Sequence, residues 1–163
     1  MEEMARALLA MTRFDAGDPK RIQHFVKVHS FARLIGQGEG LDGTTQRRLE
    51  LAAVVHDIGI HPAEAKYGRC DGKLQEREGP APARELLVSL GVDDETADRV
   101  CFLVGHHHTY EGVDGPDWQI LLEADFLVNL YEDELSQDAA RAAYDRVFCT
   151  ETGKTLCRTM ASR

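Results

Sequence analysis

Histidines and aspartates that could hold a metal ion recur along this chain, each within or directly after an apolar run. His56 and Asp57 follow AAVV in the segment AAVVHDIGIH, where an imidazole and a carboxylate interrupt what otherwise reads as core. His24 precedes FVKVHSFARLI, and Asp125 lies within LLEADFLVNL. Nitrogen and carboxylate ligands without a thiolate suit iron, manganese, zinc, cobalt or nickel better than calcium. The residue types therefore favour a divalent transition metal.

Helical spacing turns these side chains toward apolar faces. His24, His56, His107 and Asp125 each align with apolar residues three or four positions away. Taken singly, an inward histidine or aspartate is more often a hydrogen-bonded core residue or a cap. Together they favour a metal site, because burying unpaired carboxylates costs several kcal/mol and a cation offsets that cost. His29 is a rival for His24, but the spacing to neighbouring apolar residues favours His24.

Composition limits the partners that the protein can bind. The formal net charge of −9 argues against duplex nucleic acid, whose affinity comes largely from lysine and arginine neutralising phosphates. A small phosphorylated substrate stays compatible, since a bound cation would hold it. No apolar stretch approaches the roughly 20 residues of a membrane span, and MEEMARALLAMTRF lacks the features of a signal peptide. We expect no membrane association, a cytoplasmic location and four free cysteines.

The apolar pattern predicts an all-α protein, because period-two alternation is absent and the helical period recurs. At 163 residues we expect one domain, residues 1–163, with a motif-bearing core over about 18–132 and a helical extension over about 136–163. Residues 59–79 are predicted to be an irregular lid beside the site. The predicted helices run from Asp18-Pro19 to Gly36, from about Thr44 to His56, from Pro82 to Gly91, from Asp93 or Asp94 toward His107, from about Trp118 to Tyr131, and once or twice after Ser136.

Three motifs in this order resemble the H…HD…D signature of the HD-domain superfamily of metal-dependent phosphohydrolases. They are His24 in HFVKVHSFARLIG, His56-Asp57 in LELAAVVHDIGI and Asp125 in LLEADFLVNL. The resemblance covers about residues 18–132, and its specificity lies in the order and flanks of all three motifs. It implies a single-domain, all-α, HD-type helical bundle. It also implies that these four residues hold one metal ion, with Asp57 placed to bridge to a second.

The same resemblance leaves one or two ions open. Members with two ions add a histidine early in the helix after the HD dipeptide and further histidines later. The nearest positions in this chain are Glu78 for the first of these and the run His106-His107-His108 for the later ones. A variant dinuclear site with Glu78, His106 and His107 is one alternative, and a mononuclear site is the other. Helical phase selects His107 first, and adjacency makes His106 the next candidate.

A metal ion of this kind lowers the pKa of bound water from about 16 to about 7 and neutralises phosphoryl oxygens, and both effects suit phosphoester hydrolysis. We therefore expect a hydrolase of nucleotides or other small phosphorylated metabolites, with Asp57 and His56 central to catalysis. Ordinary solvated side chains are the competing interpretation for each expected substrate contact. These expected contacts are Lys66, Tyr67, Arg69, Lys73 and His108.

Two other functions stay open on the sequence. An HD-type diiron oxygenase would use Glu78, His106 and His107 as variant ligands, and iron stoichiometry with oxygen uptake would identify it. A non-catalytic sensor would bind a nucleotide through a retained metal pocket without turnover. The GYP motif of the cyclic-di-GMP phosphodiesterases is absent, since GPD at 115–117 resembles it only superficially. A homodimer is also left open.

Overall fold

The computed structural model describes residues 1–162, and over this range the chain is α-helical with no strand, which confirms the predicted fold class. None of the helices in this range has both the length and the apolar composition to cross a bilayer. In chain order the helices are α1 (Glu3–Phe14), α2 (Pro19–Gly38), α3 (Gly43–Val55), α4 (Ile60–Tyr67), α5 (Gly72–Glu78), α6 (Pro80–Ser89), α7 (Asp94–Val104), α8 (Pro116–Glu132), α9 (Gln137–Val147) and α10 (Glu151–Ala161).

Aspartate side chains cap α2 and α7, two of the helices that position site residues. Asp18 accepts a hydrogen bond from the backbone N–H of Arg21, and Pro19 occupies the first position of α2. At the start of α7, Asp93 accepts from the backbone N–H of Thr96. Such caps satisfy N–H groups that the first helical turn leaves unpaired. Both helices therefore begin where the sequence predicts.

The core is centred on α3, which packs against α1, α2, α7 and α8, while α2 also packs along α8. Every residue of α3 from Leu49 to Val55 is buried. Burial of each large aliphatic side chain stabilises the fold by about 1.5–3 kcal/mol. Because α3 is enclosed by other helices, the residues that follow its C-terminal end enter the middle of the bundle.

Residues 59–79 are not the irregular lid that the sequence predicted. They form α4 and α5, separated by a turn in which Gly68 adopts φ 70° and Asp71 caps α5. The prediction was wrong because these helices have only 8 and 7 residues, too few to display a helical period. α1 was also not predicted, and it contributes only Ala7 and Met11 to the fully buried core.

The C-terminal helices are attached through Glu123, a fully buried carboxylate of α8. It accepts hydrogen bonds from the backbone N–H groups of Cys149 (2.7 Å) and Thr150 (2.9 Å) and from the hydroxyl of Thr150. Gly153 packs directly on this carboxylate, in space that a Cβ atom would fill. The first turn of α10 thus rests on a negative charge, which is the favourable sign at a helix N-terminus.

Candidate metal centre

His24 from α2, His56 and Asp57 from the turn after α3, and Asp125 from α8 converge inside the bundle. Nε2 of His24 lies 3.2 Å from Nε2 of His56 and 3.1 Å from Oδ1 of Asp125. Oδ2 of Asp57 lies 3.4 Å from Nε2 of His24, and its Oδ1 lies 3.5 Å from Nε2 of His56. His56 is fully buried, and the side chain of Asp57 is 12% exposed. The structure therefore brings together the four residues of the first predicted ligand set.

The outer nitrogens of both histidines are already hydrogen-bonded. The Nδ1–H of His56 donates to the carbonyl oxygen of Ala53 (2.8 Å), and the Nδ1–H of His24 donates to the carboxylate of Glu132 (2.8 Å). A neutral imidazole has one N–H, so Nε2 of each ring carries a lone pair. These lone pairs face the oxygens of the two aspartates, which are also acceptors. Nitrogen lone pairs and carboxylate oxygens at these distances repel one another, so the arrangement requires a positive charge between them, either a proton or a metal ion.

In the absence of a metal, protons on the histidine rings supply this positive charge. Burial lowers the pKa of His56, but the negative charges of Asp57 and Asp125 raise it more, to about 9. Burial raises the pKa of Asp57, but His56 and His107 hold it well below its usual range. Burial also raises the pKa of Asp125, and hydrogen bonds from His24 and His56 lower it further than burial raises it. The site is built to stabilise positive charge.

His107 and His108 form a second group around Asp57. The Nδ1–H of His107 donates to the carbonyl oxygen of Val104 (2.7 Å), so its Nε2 lone pair also points inward, 3.4 Å from Oδ1 of Asp57. The rings of His107 and His108 have centroids 4.1 Å apart. Ligand atoms of Asp57, His107 and His108 all lie within 4.8 Å of one another. Asp57 therefore belongs to both groups.

Gln75 of α5 joins the second group and was missed by the sequence analysis. Its side-chain N–H donates to the carbonyl oxygen of Cys70 (2.6 Å), which turns Oε1 toward the rings, 2.9 Å from Nε2 of His108 and 3.4 Å from Nε2 of His107. Gly72 seats α5 against His108, since a Cβ there would lie 2.8 Å from Cγ of the ring. The only signal in the sequence was the place of Gln75 within QEREG, the segment that was expected to supply a ligand.

Comparison with known proteins gives the family. The HD domain model matches residues 21–143 of this chain. The chain belongs to the HD-domain family. Among solved structures, it is similar to a crystal structure at 1.45 Å resolution of a predicted HD superfamily hydrolase from an uncultured Thermotogales bacterium. The two share 26% sequence identity with a TM-score of 0.67, over 96% of this chain and 83% of that one. No curated protein matches the chain.

Membership in the HD-domain family places the chain in a superfamily of metal-dependent hydrolases. The residue groups that could hold such a metal are those around Asp57, one with His24 and His56 and the other with His107 and His108. Three imidazole lone pairs and the shared carboxylate match the borderline nitrogen and oxygen ligands of divalent transition metals. The chemistry of the donor set thus fits the metal dependence of the family.

Two residues expected to be ligands of this HD domain lie elsewhere. Glu78 accepts hydrogen bonds from the hydroxyl of Tyr67 (2.8 Å) and from Lys66 (3.3 Å), and it thereby ties α5 to α4. His106 stacks on Phe102, with ring centroids 4.1 Å apart, and its Nδ1–H donates to the carbonyl oxygen of the same residue (2.7 Å). Contrary to expectation, ion pairing and stacking hold these two side chains away from Asp57.

The residues expected to contact substrate are also spread out. His108 lies at the centre beside Gln75, whereas Lys66 and Tyr67 bind Glu78. The side chain of Arg69 is 73% exposed and lies 3.6 Å from Asp71. Lys73 is exposed on the first turn of α5. Of this set, the structure brings only His108 into the metal centre.

Arg21 places a positive charge beside the HD centre. Its Nη1 lies 3.8 Å from Oδ2 of Asp57, and its side chain is 27% exposed. Arg21 precedes His24 by three residues, so both share one face of α2, and that spacing was a usable signal in the sequence. His29, the rival of His24, instead lies 3.0 Å from Glu50. A guanidinium beside a metal centre is well suited to bind phosphate oxygens through its planar set of donors.

Proposed function

We propose that this HD domain is a phosphohydrolase that uses metal-activated water to cleave a phosphoester of a nucleotide or another small phosphorylated metabolite. The observation that carries the proposal is the set of inward lone pairs on His24, His56 and His107 around Asp57, with no proton donor among them when the rings are neutral. Such a set has little use in a core, because it costs free energy until a cation occupies it.

His24, His56 and Asp57 would hold one divalent transition metal ion together with Asp125, which lies 3.1 Å from His24, and Asp57 with His107 and His108 would hold a second. Iron, manganese, zinc, cobalt and nickel all accept mixed imidazole and carboxylate ligands. A bound ion of this kind supplies hydroxide near neutral pH and offsets charge on the phosphoryl oxygens.

The protein supplies orientation and charge. His56 is fully buried and hydrogen-bonded to the main chain of α3, so its ring is fixed before substrate arrives. Arg21 lies beside Asp57 with part of its side chain exposed, where its donors would orient a phosphoryl oxygen toward the centre. Because part of the Arg21 side chain is exposed, an anionic substrate would reach the guanidinium and offset its positive charge. This arrangement supports a small phosphorylated substrate.

The test is metal analysis of the purified protein followed by a phosphate-release screen. The chain is stripped with a chelator, reloaded separately with each candidate metal and offered nucleotides, cyclic dinucleotides and simple phosphomonoesters. We expect hydrolysis that requires added metal and is abolished by Asp57→Ala. Metal-loaded protein that binds a nucleotide without turnover would support a sensor instead. Oxygen consumption by the Fe(II) form without phosphate release would support an oxygenase.

A further inference from the structure

The two ligand groups of the centre share Asp57 but differ in charge. Asp57 and Asp125 both serve the group of His24 and His56, with oxygens 3.1 to 3.5 Å from the ring nitrogens. Beyond the shared carboxylate, the other group has only neutral side chains. These are His107, His108 and Gln75.

Gln75 is oriented to present oxygen rather than nitrogen. The carbonyl of Cys70 accepts its N–H at 2.6 Å, so the amide cannot turn over without losing that bond. Main-chain packing fixes the rest of α5, because a Cβ at Gly59 would lie 2.6 Å from the carbonyl oxygen of Gln75. A neutral amide oxygen held in this way is a competent metal ligand, but it adds no charge.

The balance of charge then favours one position over the other. A divalent ion beside Asp57 and Asp125 is neutralised by two carboxylates. A second divalent ion would share Asp57, whose charge the first ion already offsets. Arg21 lies 3.8 Å from Oδ2 of Asp57, the oxygen that faces His24, so the difference between the two positions comes from the carboxylates and not from Arg21. In a site with low effective dielectric, an uncompensated charge at such distances changes affinity by more than about tenfold.

We infer that the position formed by Asp57, His107, His108 and Gln75 is an exchangeable metal site, filled only at higher metal concentration or together with a phosphate anion. The neutral side chain of Gln75 sets this property, and a phosphate group supplies the missing negative charge. Because binding is reciprocal, the second ion and the anion tighten each other. The inference rests on the proposed metal centre, and it makes occupancy of the second position depend on both metal supply and substrate.

The experiment is calorimetric titration of metal-free protein with Mn²⁺, with and without inorganic phosphate. For the natural chain we expect two binding steps whose dissociation constants differ by more than about tenfold, with phosphate tightening only the weaker one. Gln75→Glu should tighten the weaker step by about tenfold or more, and Gln75→Leu should remove it, with the stronger step unchanged in both. Gln37→Glu, which adds the same charge at an exposed position of α2, is the matched control and should change neither step.

Two equivalent steps, a single ion at saturation, or a weaker step unchanged by Gln75→Glu would each overturn the inference. Thermal melting of each metal-free variant checks that the fold is retained. The outcome is separate from that of the phosphate-release screen. Unequal steps without hydrolysis of any phosphoester would keep this inference and reject the proposed function, whereas hydrolysis with two equivalent ions would do the reverse.

Discussion

Asp125 and Glu132, seven residues apart on α8, bond to opposite edges of the same imidazole, that of His24. Oδ1 of Asp125 lies 3.1 Å from Nε2, and Oε2 of Glu132 accepts the Nδ1–H at 2.8 Å. Lys27 binds the other oxygen of Glu132 at 2.6 Å and holds that carboxylate in place. α8 therefore supplies both a candidate ligand and the group that orients another.

We expect Glu132→Ala to weaken metal binding by about 10- to 100-fold, because the His24 ring loses the acceptor that fixes its tautomer and orientation. Glu132→Gln keeps an acceptor oxygen but loses the charge, so its effect should be smaller. Competition with a chromogenic chelator measures the affinity. Glu85→Gln, at an exposed position of α6, is the control and should bind metal like the natural chain. Unchanged affinity in Glu132→Ala would show that this contact does not orient a ligand.

Adjacent histidines should behave in opposite ways. His107→Ala should reduce the metal content at saturation, because the second position loses a lone pair 3.4 Å from Asp57. His106→Ala should keep the metal content and lower the melting temperature, because the lost ring stacks on Phe102 and contacts Trp118. Mass spectrometry of metal-loaded variants, beside thermal melting, separates the two. Loss of metal from His106→Ala would contradict the assignment.

Stability of the metal-free protein should fall as the pH rises above neutrality. Folding raises the pKa of His56 from 6.5 to about 9, so the folded state binds the proton more tightly than the unfolded chain does. The resulting stability is fully present below pH 6.5 and is lost as the pH rises through about 9. A shift of this size corresponds to roughly 3 kcal/mol.

Melting temperatures of chelated protein across this pH range test the prediction. Saturating metal should remove or reverse the decline, because the ion replaces the proton and binds better as protons leave. Chelated His56→Gln should show a flatter profile than the natural chain. A metal-free melting temperature that does not change between neutral pH and pH 9 would refute the electrostatic account of the site.

Glu123→Ala should destabilise the fold by about 3 kcal/mol without changing the metal content, because the backbone N–H groups of Cys149 and Thr150 lose a charged acceptor. Gly153→Ala should act in the same direction, since its Cβ would overlap the carboxylate. Urea unfolding measures the stability, and metal analysis of the folded variants checks the site. Loss of metal in proportion to stability would mean that the C-terminal helices help to form the centre.

The two longest helices, α2 and α8, were predictable from the sequence because each repeats its pattern several times. α2 and α8 show a buried face over many turns, and Asp18 and Asp93 are capping residues at the expected positions. α4 and α5 have only about two turns each, and contacts with each other hold them in place through Glu78 and Tyr67. Such pairing is a tertiary effect that local periodicity does not encode.

The candidate site also contains residues that local periodicity predicts and one that depends on a tertiary contact. His24, His56, Asp57 and Asp125 lie on or beside long helices whose phase turns them inward, so order and spacing were enough to predict that they lie close together. The role of Gln75 depends on the carbonyl of Cys70, which fixes the direction of the amide. Neither residue type nor spacing predicts a hydrogen bond between a side-chain amide and a main-chain carbonyl of this kind. The sequence drew attention to Glu78, whereas in the structure it is Gln75 of the same segment that points toward His107 and His108.

His24 and Asp125 lie 101 positions apart in the chain and 3.1 Å apart in the centre. A ribosome releases the segment of α2 and α3 well before the segment of α8, so during synthesis His24 and His56 are present without the carboxylate that completes their set. The ligand set closes only when α8 docks. An ion bound before that step would lack the charge of Asp125, so we expect tight metal binding only after α8 has docked.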